Sequence, residues 1–192
     1  MWEIRWHGRG GQGAVTAANL LAKAAIYNNF KDSQAFPFFG AERRGAPIKA
    51  FTRISKDSIL VHSQIYNPDV VIVLDSTIMK ITNVLEGAKS DTFLIVNTTK
   101  HSSDLDLSDT NLFVVDATGI SLELGLILAG QPVVSTPMLG AFSKATKLVS
   151  LESIRRAVLE EWKGEVGEKN SRATEEAYKR LSLPRQQIAV RE

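Results

Sequence analysis

Apolar and polar positions alternate from the first residues. Trp2, Ile4 and Trp6 lie on one face of a predicted strand, with Glu3, Arg5 and His7 on the other. A glycine-rich run, Gly8 to Gly13, follows, and then an alanine-rich stretch, Ala14 to Ala25, with strong helix-forming character. Its small side chains predict a helix lying close to a sheet. Two further extended segments run from about Ser33 to Phe39 and from Ile48 to Ile54, separated by the loop Gly40 to Pro47. Three continuous apolar runs come next: Val70 to Leu74, Thr92 to Val96 and Asn111 to Val115. Such runs suit central parallel strands buried on both faces. Each ends in polar residues: Asp75-Ser76-Thr77, Asn97-Thr98-Thr99 and Asp116-Ala117-Thr118.

From Thr136 onward the periodicity becomes helical. Thr136 is the expected cap and Pro137 the first helical residue, with Met138, Leu139, Phe142 and Leu148 on one side. A helix from Leu151 to Trp162 is expected to turn Ile154, Val158 and Leu159 inward. Gly164 and Gly167 are expected to break it. A last, largely polar helix is expected from about Glu168 to Leu181, with Ala173, Ala177, Tyr178 and Leu181 as its stripe. The fold class is therefore α/β: an open, mostly parallel sheet with helices on both faces, Rossmann-like, with a helical C-terminal extension. Residues 1–150 form the α/β domain and 151–192 the extension. Its ligand crevice is expected at the carboxyl ends of the strands.

Composition narrows the function. Of 192 residues, 44% are hydrophobic and 23% charged, as in ordinary globular domains. The net charge of +2 is far from a nucleic-acid-binding signature. No apolar run approaches the roughly 18 residues of a membrane span, and the N-terminus has no signal-peptide core. A cytoplasmic protein without membrane or nucleic-acid partners is expected. Cysteine is absent, which excludes disulfides, thiolate metal sites and a self-contained iron–sulfur cluster. His7, His62 and His101 are scattered without metal-ligand spacing. No nucleophile elbow or paired carboxylates stand out, so no catalytic residue is assigned.

The sharpest motif is Gly8, Gly10 and Gly13 in G-x-G-x-x-G spacing between strand and helix. Such a loop lets an anion approach the free N–H groups at the helix start. Its alternative role is a tight turn that packs helix on sheet. Arg9 adds a positive charge beside it. A dinucleotide site also needs an acid at the end of the second strand. Asp32 precedes that strand, and Glu42 is followed by Arg43 and Arg44. Arginine there favours an extra phosphate over a bare diol, so NAD is disfavoured while NADP or another phosphorylated adenosine stays open. Asn97, Thr98, Ser135 and Thr136 are candidate ligand donors or simple caps.

Several segments carry a family resemblance. Arg5 to Ala14, Gln34-Ala35-Phe36-Pro37, Gly40 to Pro47, Asn67 to Val71, Val96-Asn97-Thr98 and Thr136 to Ala141 occur in order. Together they resemble the gamma subunit of pyruvate and related 2-oxoacid:ferredoxin oxidoreductases, to about residue 160. The resemblance implies a shared reaction: a 2-oxoacid, coenzyme A and oxidised ferredoxin give acyl-CoA, carbon dioxide and reduced ferredoxin. It implies partner alpha, beta and delta subunits that hold thiamine diphosphate, Mg2+ and 4Fe–4S clusters, and ferredoxin reached through the complex. It further implies coenzyme A contact by this chain, from Gly8, Arg9, Gly10, Gln12 and Gly13 in the loop and from Arg43 and Arg44. The family's asparagine near a later helix start falls at Ser135 and Thr136, where a hydroxyl reaches less far. The competing expectations are an NADP-dependent oxidoreductase and a purely architectural subunit.

Overall fold

The computed structural model describes residues 1–38, 45–105, 107 and 110–182. The elements in chain order are β1 (Trp2–Arg9), α1 (Ala14–Tyr27), β2 (Asp32–Phe38), β3 (Pro47–Ser55), β4 (Val70–Val73), β5 (Phe93–Asn97) and β6 (Asn111–Val115). They continue with α2 (Ala117–Glu123), the short hairpin β7 (Ile127–Leu128) and β8 (Gln131–Pro132), then α3 (Ser135–Thr146), α4 (Leu151–Glu161) and α5 (Gly164–Arg180). Six strands form one sheet in the order β2-β3-β1-β4-β5-β6. β1, β4, β5 and β6 run parallel, and β3 is antiparallel to both β1 and β2. The mostly parallel α/β sheet expected from the apolar runs is thus present, with an antiparallel flank.

Alternation along the strands divides the interior in two. Ile4, Trp6, Ile72, Ile95 and Phe113 face the α-helices and form the larger core with residues of α1 to α5. Val71, Val73, Leu94, Val96 and Val114 face the other way and are covered by Ile78 of the 3-10 turn Ser76–Lys80 and by Val84. Full burial of each such side chain stabilises the fold by about 1.5–3 kcal/mol. Helix α1 lies close to the sheet because Ala14, Ala17, Ala18, Ala24 and Ala25 are buried. It lies so close that strand hydroxyls reach its backbone: Ser33 Oγ donates to the Ala22 carbonyl at 2.8 Å, and Thr52 Oγ1 to that of Ala18 at 3.1 Å.

The C-terminal helices differ from the sequence expectation in their boundaries. Thr136 is not the cap of α3: Val134 holds that position without a side-chain bond, and Thr136 Oγ1 donates instead to Asn170 Oδ1 of α5 at 2.8 Å. Leu148 lies beyond α3, which ends at Thr146 and is capped by Lys147 in the left-handed conformation. Gly167 does not interrupt a helix. Gly164, with φ of +63°, opens α5, and Gly167 sits inside it where a Cβ would collide with the Trp162 carbonyl. The glycine is there for close packing, which composition alone reads as a breaker. Likewise Gly140 lets α3 meet the backbone of α5 at Thr174. Ile154, Ala157, Val158, Ala173 and Ala177 all join the larger core.

Trp2 is half-buried against that core, and Phe36 packs on Phe51 with ring centroids 5.2 Å apart. Phe39 lies outside the described residues. The most exposed large apolar side chains are elsewhere, at Leu60 (84%), Leu128 (71%) and Tyr66 (66%).

Candidate functional site

The glycine loop joins β1 to α1 at the point where the chain's path over the sheet divides. From β1 the chain passes to β2 and β3 on one side, and from β4 it passes to β5 and β6 on the other. Open α/β sheets bind ligands at such a point, at the carboxyl ends of the strands. The loop's backbone is fixed by two left-handed residues, Gly11 at φ +94° and Gly13 at φ +82°, where a side chain would be strained. A Cβ on Gly13 would also approach Ser135 Cβ to 3.0 Å. The start of α3 is therefore packed directly beneath the start of α1.

Backbone bonds tie the loop to its neighbour: Gly10 N–H donates to Ala46 O at 2.9 Å and Gly45 N–H to Gly10 O at 3.2 Å. Side chains tie it to the end of β4. Arg9 Nε donates to Asp75 Oδ2 at 2.8 Å, Arg9 Nη2 to Thr77 Oγ1 at 2.8 Å and Arg9 Nη1 to Gly45 O at 3.1 Å. Gln12 folds back, accepting from Arg9 N–H at 2.8 Å and donating to Asp75 Oδ2 at 3.3 Å. Burial would raise the Asp75 pKa, but hydrogen bonds from Thr77, Arg9 and Gln12 outweigh it and hold the carboxyl below its ordinary value. Among the described residues, no acceptor meets the N–H groups of Gly11, Gly13, Ala14 or Val15. These donors and the positive end of α1 are what the loop offers an anion.

Two chambers flank Gln12. The first, about 790 Å³, is lined by Arg9, Gly10, Gly11 and Val15 on one side and by Leu128 and Ala129 of the β7–β8 hairpin on the other. The second, about 460 Å³, lies over the ends of β4, β5 and β6, with Asp75, Asn97, Thr98, Asp116 and Thr118 in its wall. Gln12 and Gln131 border both. Asn97 is part of its floor, donating to Leu74 O at 2.8 Å and Thr118 Oγ1 at 2.9 Å. Asp116 caps α2 through Gly119 N–H at 2.7 Å.

The residues nominated from sequence fall into four groups. Arg9, Gly10 and Gln12 line the crevice, and Gly8 and Gly13 shape the backbone around it. Ser135 packs under Gly13, whereas Thr136 is buried in the contact between α3 and α5. Arg43 and Arg44, with Glu42, lie outside the described residues. The sequence reading missed Gln131 and the hairpin, and took Asp75 and Asp116 only as polar residues closing apolar strands. Their position after apolar strands was the available signal.

Among the described residues, the ribose-binding corner of a dinucleotide site is not built. Antiparallel β3 separates β2 from β1. Asp32 opens β2, and its carboxylate accepts from Ile59 N–H at 2.8 Å. That places it at the amino end of a strand parallel in direction to β1, across the sheet from the crevice. The fold and loop thus define a class: an α/β domain with a glycine-loop crevice and a strand order that is not that of the usual dinucleotide fold.

The sequence profile of the pyruvate ferredoxin/flavodoxin oxidoreductase family matches residues 3–180. The pyruvate/ketoisovalerate oxidoreductases common subunit gamma of Pyrococcus furiosus is 50% identical over 187 residues, 95% of this chain and 98% of the relative. The crystal structure of a pyruvate oxidoreductase subunit from Thermotoga maritima superposes with a TM-score of 0.80 at 38% identity, over 94% of this chain and 97% of that one. A 2-oxoglutarate:ferredoxin oxidoreductase from Magnetococcus marinus, solved with 2-oxoglutarate, coenzyme A and succinyl-CoA bound, shares the fold. Its TM-score is 0.73 at 16% identity, covering 92% of this chain and 30% of that one. The chain belongs to the pyruvate ferredoxin/flavodoxin oxidoreductase family, as a subunit of its gamma type.

Proposed function

We propose that this subunit helps bind coenzyme A for the complex and supports assembly with its partner subunits. The observation that carries the reading is the set of unpartnered N–H groups at Gly11, Gly13, Ala14 and Val15, of which Gly11 and Val15 line the 790 Å³ chamber. Coenzyme A has a pyrophosphate suited to such a set and a 3′-phosphate suited to planar guanidinium groups, the role proposed for Arg43 and Arg44. Its presence in the Magnetococcus marinus enzyme supports the same ligand. In this reading alpha, beta and delta subunits are the partners. They carry thiamine diphosphate with Mg2+ and 4Fe–4S clusters, since this chain has no cysteine to ligate iron. The 2-oxoacid is pyruvate or a branched-chain analogue, in keeping with the name of the Pyrococcus furiosus relative.

Val15→Glu tests this. It places a carboxylate in the first turn of α1, which the helix dipole tolerates, on the wall of the chamber. In the assembled complex the Michaelis constant for coenzyme A is expected to rise about tenfold or more, from repulsion of the phosphates. The constant for the 2-oxoacid stays as it was. An unchanged coenzyme A constant in an intact complex refutes the reading.

A further inference from the structure

We infer that Asp75 is a positioning residue for the coenzyme A site, holding the glycine loop in its anion-facing shape through Arg9 and Gln12. The inference rests on the coenzyme A reading and assigns roles within it. Arg9 and Gln12 are the side chains that invite assignment as ligand contacts. Yet all three guanidinium nitrogens of Arg9 are engaged within the chain, by Asp75, Thr77 and Gly45. The amide of Gln12 is engaged at both ends, by Arg9 N–H and by Asp75. Three of the five guanidinium N–H groups and one of the two amide N–H groups are thus spent within the chain, while the backbone N–H groups of Gly11, Gly13, Ala14 and Val15 are wholly unspent among the described residues.

Four donors converge on the Asp75 carboxylate. Oδ2 accepts from Arg9 Nε and Gln12 Nε2, and Oδ1 accepts from Thr77 N–H at 2.9 Å and Thr77 Oγ1 at 2.6 Å. The first oxygen grips the loop after β1 and the second grips the turn after β4. One side chain therefore fixes the loop against the neighbouring parallel strand. The Arg9–Asp75 pair is only partly exposed, with side chains at 29% and 19%, so solvent screens it less than a surface pair. An asparagine in its place is nearly isosteric. It would turn one end of the group from acceptor to donor and set it against donors already there.

The alternative role for Arg9 is a direct charge contact with phosphate, and the two roles differ in sign. If Asp75 positions the loop, Asp75→Asn raises the Michaelis constant for coenzyme A about tenfold through lost charge-assisted bonds. The constant for the 2-oxoacid and kcat at saturating coenzyme A stay unchanged, a split that general destabilisation of the complex does not give. Arg9→Lys keeps the charge but loses the fork, so it gives a comparable rise. Should Asp75→Asn not assemble, Arg9→Lys carries the same test.

If Arg9 acts by charge, Asp75→Asn frees it and the coenzyme A constant falls, while Arg9→Lys stays near wild type. Either result overturns the positioning role. Val15→Glu separates the two levels. A raised constant in Val15→Glu with no rise in Asp75→Asn and Arg9→Lys removes the positioning role and leaves the coenzyme A reading standing. No change in any of the three removes the coenzyme A reading itself.

Discussion

The histidine next to the glycine loop gives the sharpest quantitative expectation. His7 lies in β1 between Val73 of β4 and Lys49 of β3, with 1% of its surface exposed. Its Nε2 has no hydrogen-bond partner among the described residues. Burial, and then the positive charges of Arg5 and Lys49, push its pKa down from 6.5 to about 3. The folded state thus holds His7 neutral where the unfolded chain protonates it. Above about pH 6.5 the group has no effect on the pH dependence of stability. As pH falls from 6.5 towards 3 the unfolded state binds the extra proton, and stability drops by about 1.4 kcal/mol per pH unit. By about pH 4.5 the accumulated loss is roughly 2–3 kcal/mol, a large part of the roughly 5–15 kcal/mol typical of a domain.

The assay compares urea midpoints of the wild-type chain and His7→Gln between about pH 7 and 4.5. The substitution shifts the whole curve, but only the wild type should carry this added slope. The imidazole resonance of His7 should also stay at its neutral position down to about pH 5. Parallel stability curves, or a His7 titration midpoint near 6.5, would refute the reasoning.

Two further outcomes follow from packing. Gly140→Ala drives a methyl group into the Thr174 carbonyl across the contact between α3 and α5, and should cost about 3 kcal/mol or more, read as a lowered urea midpoint. A shift below about 1 kcal/mol would mean the helices can part cheaply. Thr52→Val removes the acceptor of Trp6 Nε1–H, now bonded at 3.0 Å in the core. The stranded donor should cost about 1–3 kcal/mol and alter the indole fluorescence, with no loss expected if a buried water takes over the bond.

Much of the fold is legible in the sequence because its strongest signals are periodic. The runs at Val70, Thr92 and Asn111 have no polar face, so they read as central strands, and their polar ends read as the rim of a crevice. Strand order is less accessible. Nothing local in Pro47 to Ser55 shows that this segment, rather than β2, lies beside β1, because pairing is decided by contacts distant in sequence. The glycines show the same limit. Gly13 reads correctly as a loop residue because strand and helix flank it. Gly140 gives no such sign, because its reason, the nearness of the Thr174 backbone, is tertiary. In the site, the motif marks where the loop is. It does not show that Asp75, 66 residues from Arg9, bonds both Arg9 and Gln12, because that contact is distant in sequence.

The place of β1 in the sheet bears on how the chain matures during synthesis. This strand is made before both its neighbours, β3 and β4, which are complete only at residues 55 and 73. Its helical face, with Trp6 at the centre, is sealed by a core that includes α3, α4 and α5, the last of which ends at Arg180. A strand made before its neighbours is therefore among the last to gain full shelter. Until α3, α4 and α5 are made, the nascent chain carries a tryptophan-bearing strand whose core is incomplete, held only by elements such as α1 and β3.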